Sequence, residues 1–149
     1  MDTRFSSAIH TLIMIAGADT PTTSELIAGS VGTNASYIRK VTGLLKKHGI
    51  LDSRQGVSGF TLLVPPEELS LYRIYQAING SEQVHVFDLH QNPNDECIVG
   101  RHIRPVLTAV FRDIEEKAEQ ELRHTTLADC MQIMKNEIDK EWNPQRLRF

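Results

Sequence analysis

At 149 residues, with 40% hydrophobic and 23% charged residues, the chain is long enough for one ordinary core or a small module with an appended helix, and its composition excludes a disordered protein. The net charge of −3 hides an asymmetry: residues 1–64 carry six basic groups against four acidic ones, the remainder ten against fifteen, and residues 34–54 hold five against Asp52 alone. Such a local patch can hold phosphates on an acidic chain, because screening limits the reach of distant charges to roughly 8 Å at physiological salt.

The first predicted helix is capped by Thr3, carries Phe5, Ile9, Leu12, Ile13 and Ala16 at helical spacing, and ends at Gly17. Its stretch from Leu12 to Ala18 is far too short to span a membrane, and no basic segment with a cleavage site precedes it, so a cytoplasmic protein is expected. Thr22-Thr23-Ser24-Glu25 reads as a capping box opening a short helix with Leu26, Ile27 and Val31 as apolar contacts, broken at Gly32. Asn34 caps a third helix, with Ile38, Val41, Leu45 and His48 along one face and Gly49 as its stop. Two capped helices joined by a short turn are a helix-turn-helix signature. Ile50–Arg54 and Phe60–Leu63 then flank Gln55-Gly56-Val57-Ser58-Gly59, a predicted hairpin that serves as a wing. After Pro65-Pro66, Ser70 caps a helix with Leu71, Ile74, Tyr75 and Ile78, closed by Asn79-Gly80.

Residues 81–97 lack sustained periodicity and read as a loop or sensor segment with one short strand at Val84–Phe87. From Ile98, the residues Ile103, Leu107, Val110, Ile114 and Ala118 lay an apolar seam along a long helix, which Pro105 kinks or restarts. That seam is too apolar for solvent and too long for an 80-residue head to bury, so a homodimer is expected. Thr126 and Asp129 cap a last helix carrying Leu127, Met131, Met134 and Ile138. The expected fold is mainly α with a small β-wing: a winged helix-turn-helix head over 1–80, the loop over 81–97, dimerisation and C-terminal helices over 98–140, and a tail over 141–149.

The pieces Gly32-Thr33-Asn34-Ala35-Ser36-Tyr37-Ile38-Arg39-Lys40, Gly49-Ile50-Leu51 and Pro65-Pro66-Glu67-Glu68-Leu69-Ser70-Leu71-Tyr72-Arg73-Ile74-Tyr75 occur in an order that resembles the Rrf-two family of bacterial winged-helix regulators. That family includes the iron–sulfur, nitric-oxide and cysteine-metabolism repressors. Cys97-Ile98-Val99-Gly100-Arg101, Pro105-Val106-Leu107 and Thr125-Thr126-Leu127-Ala128-Asp129 are similar to a cluster-free branch of it. The resemblance covers roughly residues 3–134 and implies a sequence-specific regulator, usually a repressor, on an inverted-repeat operator. Two departures stand out. The wing lacks the arginine of the family's Arg-Gly-x-x-Gly-Gly-aromatic pattern and is one residue shorter, with Arg54 adjacent. Cluster-binding members also place three cysteines before the long helix, where this chain has Cys97 alone, too few soft donors for an iron–sulfur centre. No cofactor is expected.

The predicted partner is double-stranded DNA. Asn34, Ser36, Tyr37, Arg39 and Lys40, near the start of the third helix, are the candidate base readers, because that end of a recognition helix enters the major groove. Lys46, Lys47, Arg54, Gln55 and Gly56 are candidate phosphate and wing contacts, and Thr22 and Thr23 offer hydroxyls and amides at the second helix's start. The dimer seam is Ile103, Leu107, Val110, Ile114 and Ala118. His85, His90, Cys97 and His102 match no metal spacing and read as polar surface. Cys97 and Cys130, 33 residues apart, read as reduced thiols. Cys97 is the redox candidate: helix-start amides favour its thiolate while Asp95 and Glu96 oppose it. A small-molecule or redox effector is open. No catalytic grouping stands out, and the alternatives are a winged-helix module that binds protein, or a thiol- or metal-dependent sensor.

Overall fold

A computed structural model describes residues 2–53 and 59–142. Along the chain run α1 (Arg4–Gly17), α2 (Ser24–Val31), α3 (Ala35–Lys47), β1 (Leu51–Asp52), β2 (Thr61–Leu62), α4 (Leu71–Asn79), α5 (Ile98–His124) and α6 (Leu127–Glu141).

Most helices start where a side-chain oxygen replaces the missing intrahelical acceptor. Asn34 Oδ1 accepts from Tyr37 N at 2.8 Å, and Ser70 Oγ from Arg73 N at 3.1 Å. At α6, Thr126 and Asp129 form a reciprocal capping box. Two expected caps are corrected. Thr3 occupies the N-cap of α1, but its side chain caps nothing; the carboxylate of Asp2 accepts from Arg4 N at 2.9 Å instead. The box expected at Thr22 shifts by one residue, so that Thr23 Oγ1 accepts from Leu26 N at 3.3 Å. The cause is tertiary: Thr22 is drawn into the interior. With Thr23 as cap, Leu26 faces solvent at 62% exposure and leaves the expected apolar set.

The strands are shorter than expected, two residues each, and antiparallel, pairing Leu51 with Leu62 and Asp52 with Thr61. Part of the expected wing, including Arg54, Gln55 and Gly56, lies outside the described residues. Gly59, just before β2, has φ +106°, and a Cβ there would sit 2.5 Å from Pro21 Cβ and 2.9 Å from Thr22 N. Only glycine lets the wing's base pack so closely against the turn before α2.

The strand expected at Val84–Phe87 is absent: its backbone groups pair with side chains where a strand ladder would need a neighbouring edge. Tyr75 Oη accepts from His85 N at 3.0 Å, and the Glu115 carboxylate accepts from Val86 N and Phe87 N. Phe87 packs on Phe111 with ring centroids 5.0 Å apart. Side chains thus tie this segment to α4 and α5.

The core gathers Leu12, Ile27, Ile38, Leu45, Ile50, Leu51, Leu69 and Ile74 from the winged-helix part, together with Leu127 from α6. The chain therefore returns to the core after α5. Leu127 N donates to Leu69 O at 2.8 Å and Leu71 N to Thr125 O at 2.9 Å, while the Arg123 guanidinium lies 3.9 Å over the Tyr72 ring. From this anchored C-terminal end α5 extends back as one helix of 27 residues, of which none is fully buried. Pro105 lies in its interior and does not restart it.

Candidate nucleic-acid interface

The turn between α2 and α3 is set by Gly32, whose φ of +84° closes α2, and by the Asn34 cap. It fixes how α3 lies on the core. Ile38, Val41, Thr42 and Leu45 are buried along one face. Ser36, Arg39, Lys40, Gly43, Lys46 and Lys47 are exposed on the other. Five of the predicted DNA-facing residues, Ser36, Arg39, Lys40, Lys46 and Lys47, thus share one surface. Lys46 and Lys47 also lie in the last turn, where cations suit the helix dipole without any ligand.

An open groove of about 480 Å³ separates the start of α2, the outward face of α3 and the base of the wing; Glu25, Arg39, Gly43, Lys46, Ser53 and Phe60 line it. Across it, Arg39 Nη2 donates to Glu25 Oε1 at 2.8 Å, and Lys46 Nζ to Ser53 Oγ at 2.9 Å. Three other predicted residues stand differently. Tyr37 is half-buried and packs against the core, and Asn34 uses its side-chain oxygen as a cap. Thr22, at 7% exposure, does not present its hydroxyl to a phosphate, which corrects that expectation; burial beside Gly59 is the reason. Thr23 remains at the groove. The sequence reading missed Glu25 as a partner of Arg39, because its spacing suggested only a capping role.

On α5, Ile103, Leu107 and Ala118 are half-buried, while Val110 and Ile114 are exposed, as are Ile98, Val99 and Val106. On α6, Ile133, Met134 and Ile138 are exposed too, with Trp142 beyond its end. At the head of α5, Cys97 is exposed, and the backbone N–H groups of Gly100 and Val99 hold its thiol below the ordinary range. Burial pushes the Cys130 thiol up. His85 pairs with Asp88 at 2.6 Å and lies 3.4 Å from Glu115; the bond to Asp88 raises its pKa. His102 Nδ1 lies 2.8 Å from Ile98 O.

The sequence matches, over residues 1–133, the family described as Rrf2, iron-dependent transcriptional regulator. YwnA of Bacillus subtilis (strain 168), named as an HTH-type transcriptional regulator, is 40% identical over 131 residues, covering 88% of this chain and 96% of that protein. A crystal structure described as a DNA binding protein shares 37% identity with a TM-score of 0.69, over 86% of this chain and 98% of the other. The global cysteine regulator CymR of Bacillus subtilis shares the fold, with a TM-score of 0.67 at 19% identity over 89% and 95% of the two chains. No helix among the described residues is long and apolar enough to cross a membrane.

The iron in the family's description finds no fitting donor set. The chain's two cysteines lie apart in sequence, one at the head of α5 and one within α6. Among the described residues no three His, Cys, Asp or Glu side chains converge as metal ligands. With helix-turn-helix and wing on one core, a family match over residues 1–133 and a relative at 40% identity described as a transcriptional regulator, this chain belongs to the Rrf2 family of winged-helix transcriptional regulators.

Proposed function

We propose that the protein is a homodimeric, sequence-specific DNA binder that recognises an inverted-repeat operator in the cytoplasm and represses transcription. The observation that carries this reading is the outward face of α3, where Ser36, Arg39, Lys40, Lys46 and Lys47 stand exposed beside the groove to the wing. Serine and arginine suit base edges, and lysines at the far end of the helix suit phosphates. The relatives' descriptions as an HTH-type regulator and a DNA binding protein support the same reading. The dimer is proposed because no residue of α5 is fully buried within its own chain and Val106, Val110 and Ile114 stand exposed on one side of it. Two-fold pairing of that helix would repeat the α3 face and match a two-fold operator. In this reading residues 1–80 form the reading head, 81–97 a sensor loop for a small-molecule or redox effector, and Ile103, Leu107, Val110, Ile114 and Ala118 the seam.

The test is fluorescence anisotropy of the full chain on random duplex DNA across a salt series, followed by selection of bound genomic fragments. Affinity that falls linearly with salt on a logarithmic scale, plus recovery of an inverted repeat, is the expected result. Absence of salt-dependent duplex binding would overturn it.

A further inference from the structure

Glu25 lies in the first turn of α2, and its carboxylate holds the Arg39 guanidinium at 2.8 Å across the groove. The side chains are 66% and 60% exposed. An ion pair so open to water contributes little to stability. The fold has no need of it.

The pair does fix an aim. A guanidinium carries five N–H donors in a rigid fork, so engaging one of them leaves others free to bond the two acceptors of a guanine edge. A tethered arginine gives up less rotamer freedom when it binds. Beside it the groove is open: Gly43, on the same outward face of α3, has nothing within 4 Å of where a Cβ would stand. The tether carries a disadvantage for general binding. The start of α2 is where free amides would otherwise attract a phosphate, and a carboxylate there repels it. Lys46, on the same face of α3, is engaged across the groove with Ser53.

We propose that Glu25 is a specificity-determining positioning residue, which holds Arg39 aimed at one base pair per half-site while weakening attachment to other DNA. The proposal rests on the DNA-reading function above and adds a determinant that acts through Arg39.

The experiment measures anisotropy for wild type, Glu25→Ala, Glu25→Asp, Arg39→Ala and the Glu25→Ala/Arg39→Ala double variant. The probes are the genomically selected site, that site with each base pair changed in turn, and random duplex. Glu25→Ala is expected to bind random duplex about two- to threefold tighter, from the loss of one repelling charge. Its preference at a single base pair should fall about threefold to tenfold. Glu25→Asp keeps the charge but is one methylene short of Arg39, so it should lose the preference without gaining on random DNA. In the Arg39→Ala background, removing Glu25 should leave the base profile unchanged.

An unaltered profile in Glu25→Ala, or an equal change with and without Arg39, would overturn the role of Glu25 while leaving DNA reading intact. A wild type with no affinity for any duplex would overturn both. Matching thermal melts across the set confirm that the profile reports aim and not folding.

Discussion

Arg39, Lys46 and Lys47 share a face but should fail differently when truncated. Arg39→Ala is expected to weaken operator binding by about 1–3 kcal/mol and random-duplex binding much less, because a base edge is lost. Lys46→Ala or Lys47→Ala should weaken all sequences alike and reduce the salt slope by about one unit each, as phosphate contacts do. Equal loss for Arg39→Ala on operator and random DNA would remove it from the base readers. The thiols are separated just as sharply. Exposed Cys97 is held low by two backbone N–H groups, while burial raises Cys130. More thiolate is present at a given pH where the pKa is lower, so iodoacetamide should modify Cys97 first at pH 7–8, with site occupancy read by mass spectrometry. Faster alkylation of Cys130 would contradict the assignment. At this scale much was legible: Asn34 and Ser70 announce themselves as caps by residue type and place. Glu25 was not, since its bond to Arg39 exists only once α2 and α3 are packed.

Among the elements, α2 and the wing illustrate where local reading stops. Thr22 fits the T-x-x-E pattern with Glu25, but packing of the preceding turn against Gly59 passes the cap to Thr23. Substituting Gly59 by alanine should therefore be severe. The new methyl meets Pro21 at 2.5 Å, and φ of +106° is itself unfavourable for any residue with a Cβ. We expect a loss of about 2–4 kcal/mol in urea unfolding; an unchanged midpoint would mean that the turn yields at no cost. Residues 84–87 defeated the sequence reading for a related reason. Their composition suits a strand, but side chains of the flanking helices, Tyr75 of α4 and Glu115 of α5, supply the pairing once the chain is folded.

At the scale of the whole molecule, the apolar spacing along α5 was readable, whereas the return of Leu127 to the core was not, because that contact joins the ends of two elements across the chain. The return matters mechanically: α5 is anchored to α4 at one end through Leu71, Thr125 and Leu127, and through Glu115 to the loop before it. A partner bound along α5 would thus be held at a fixed offset from α3, so the dimer would set operator spacing. Ile114→Lys tests this. Ile114 is 44% exposed in the single chain, so a lysine there can extend into water and the monomer's fold should survive, with far-UV circular dichroism unchanged. Between two copies the same ammonium would be buried without a partner, at a cost that a modest interface does not recover. Light scattering at micromolar concentration should show a dimer for wild type and a monomer for the variant. The variant should keep its salt-dependent affinity for random duplex, but lose the gain that wild type shows when a second half-site is added at the operator's spacing. A variant that stays dimeric would place the seam elsewhere. A monomer that still gains from the second half-site would break the link between α5 and operator spacing.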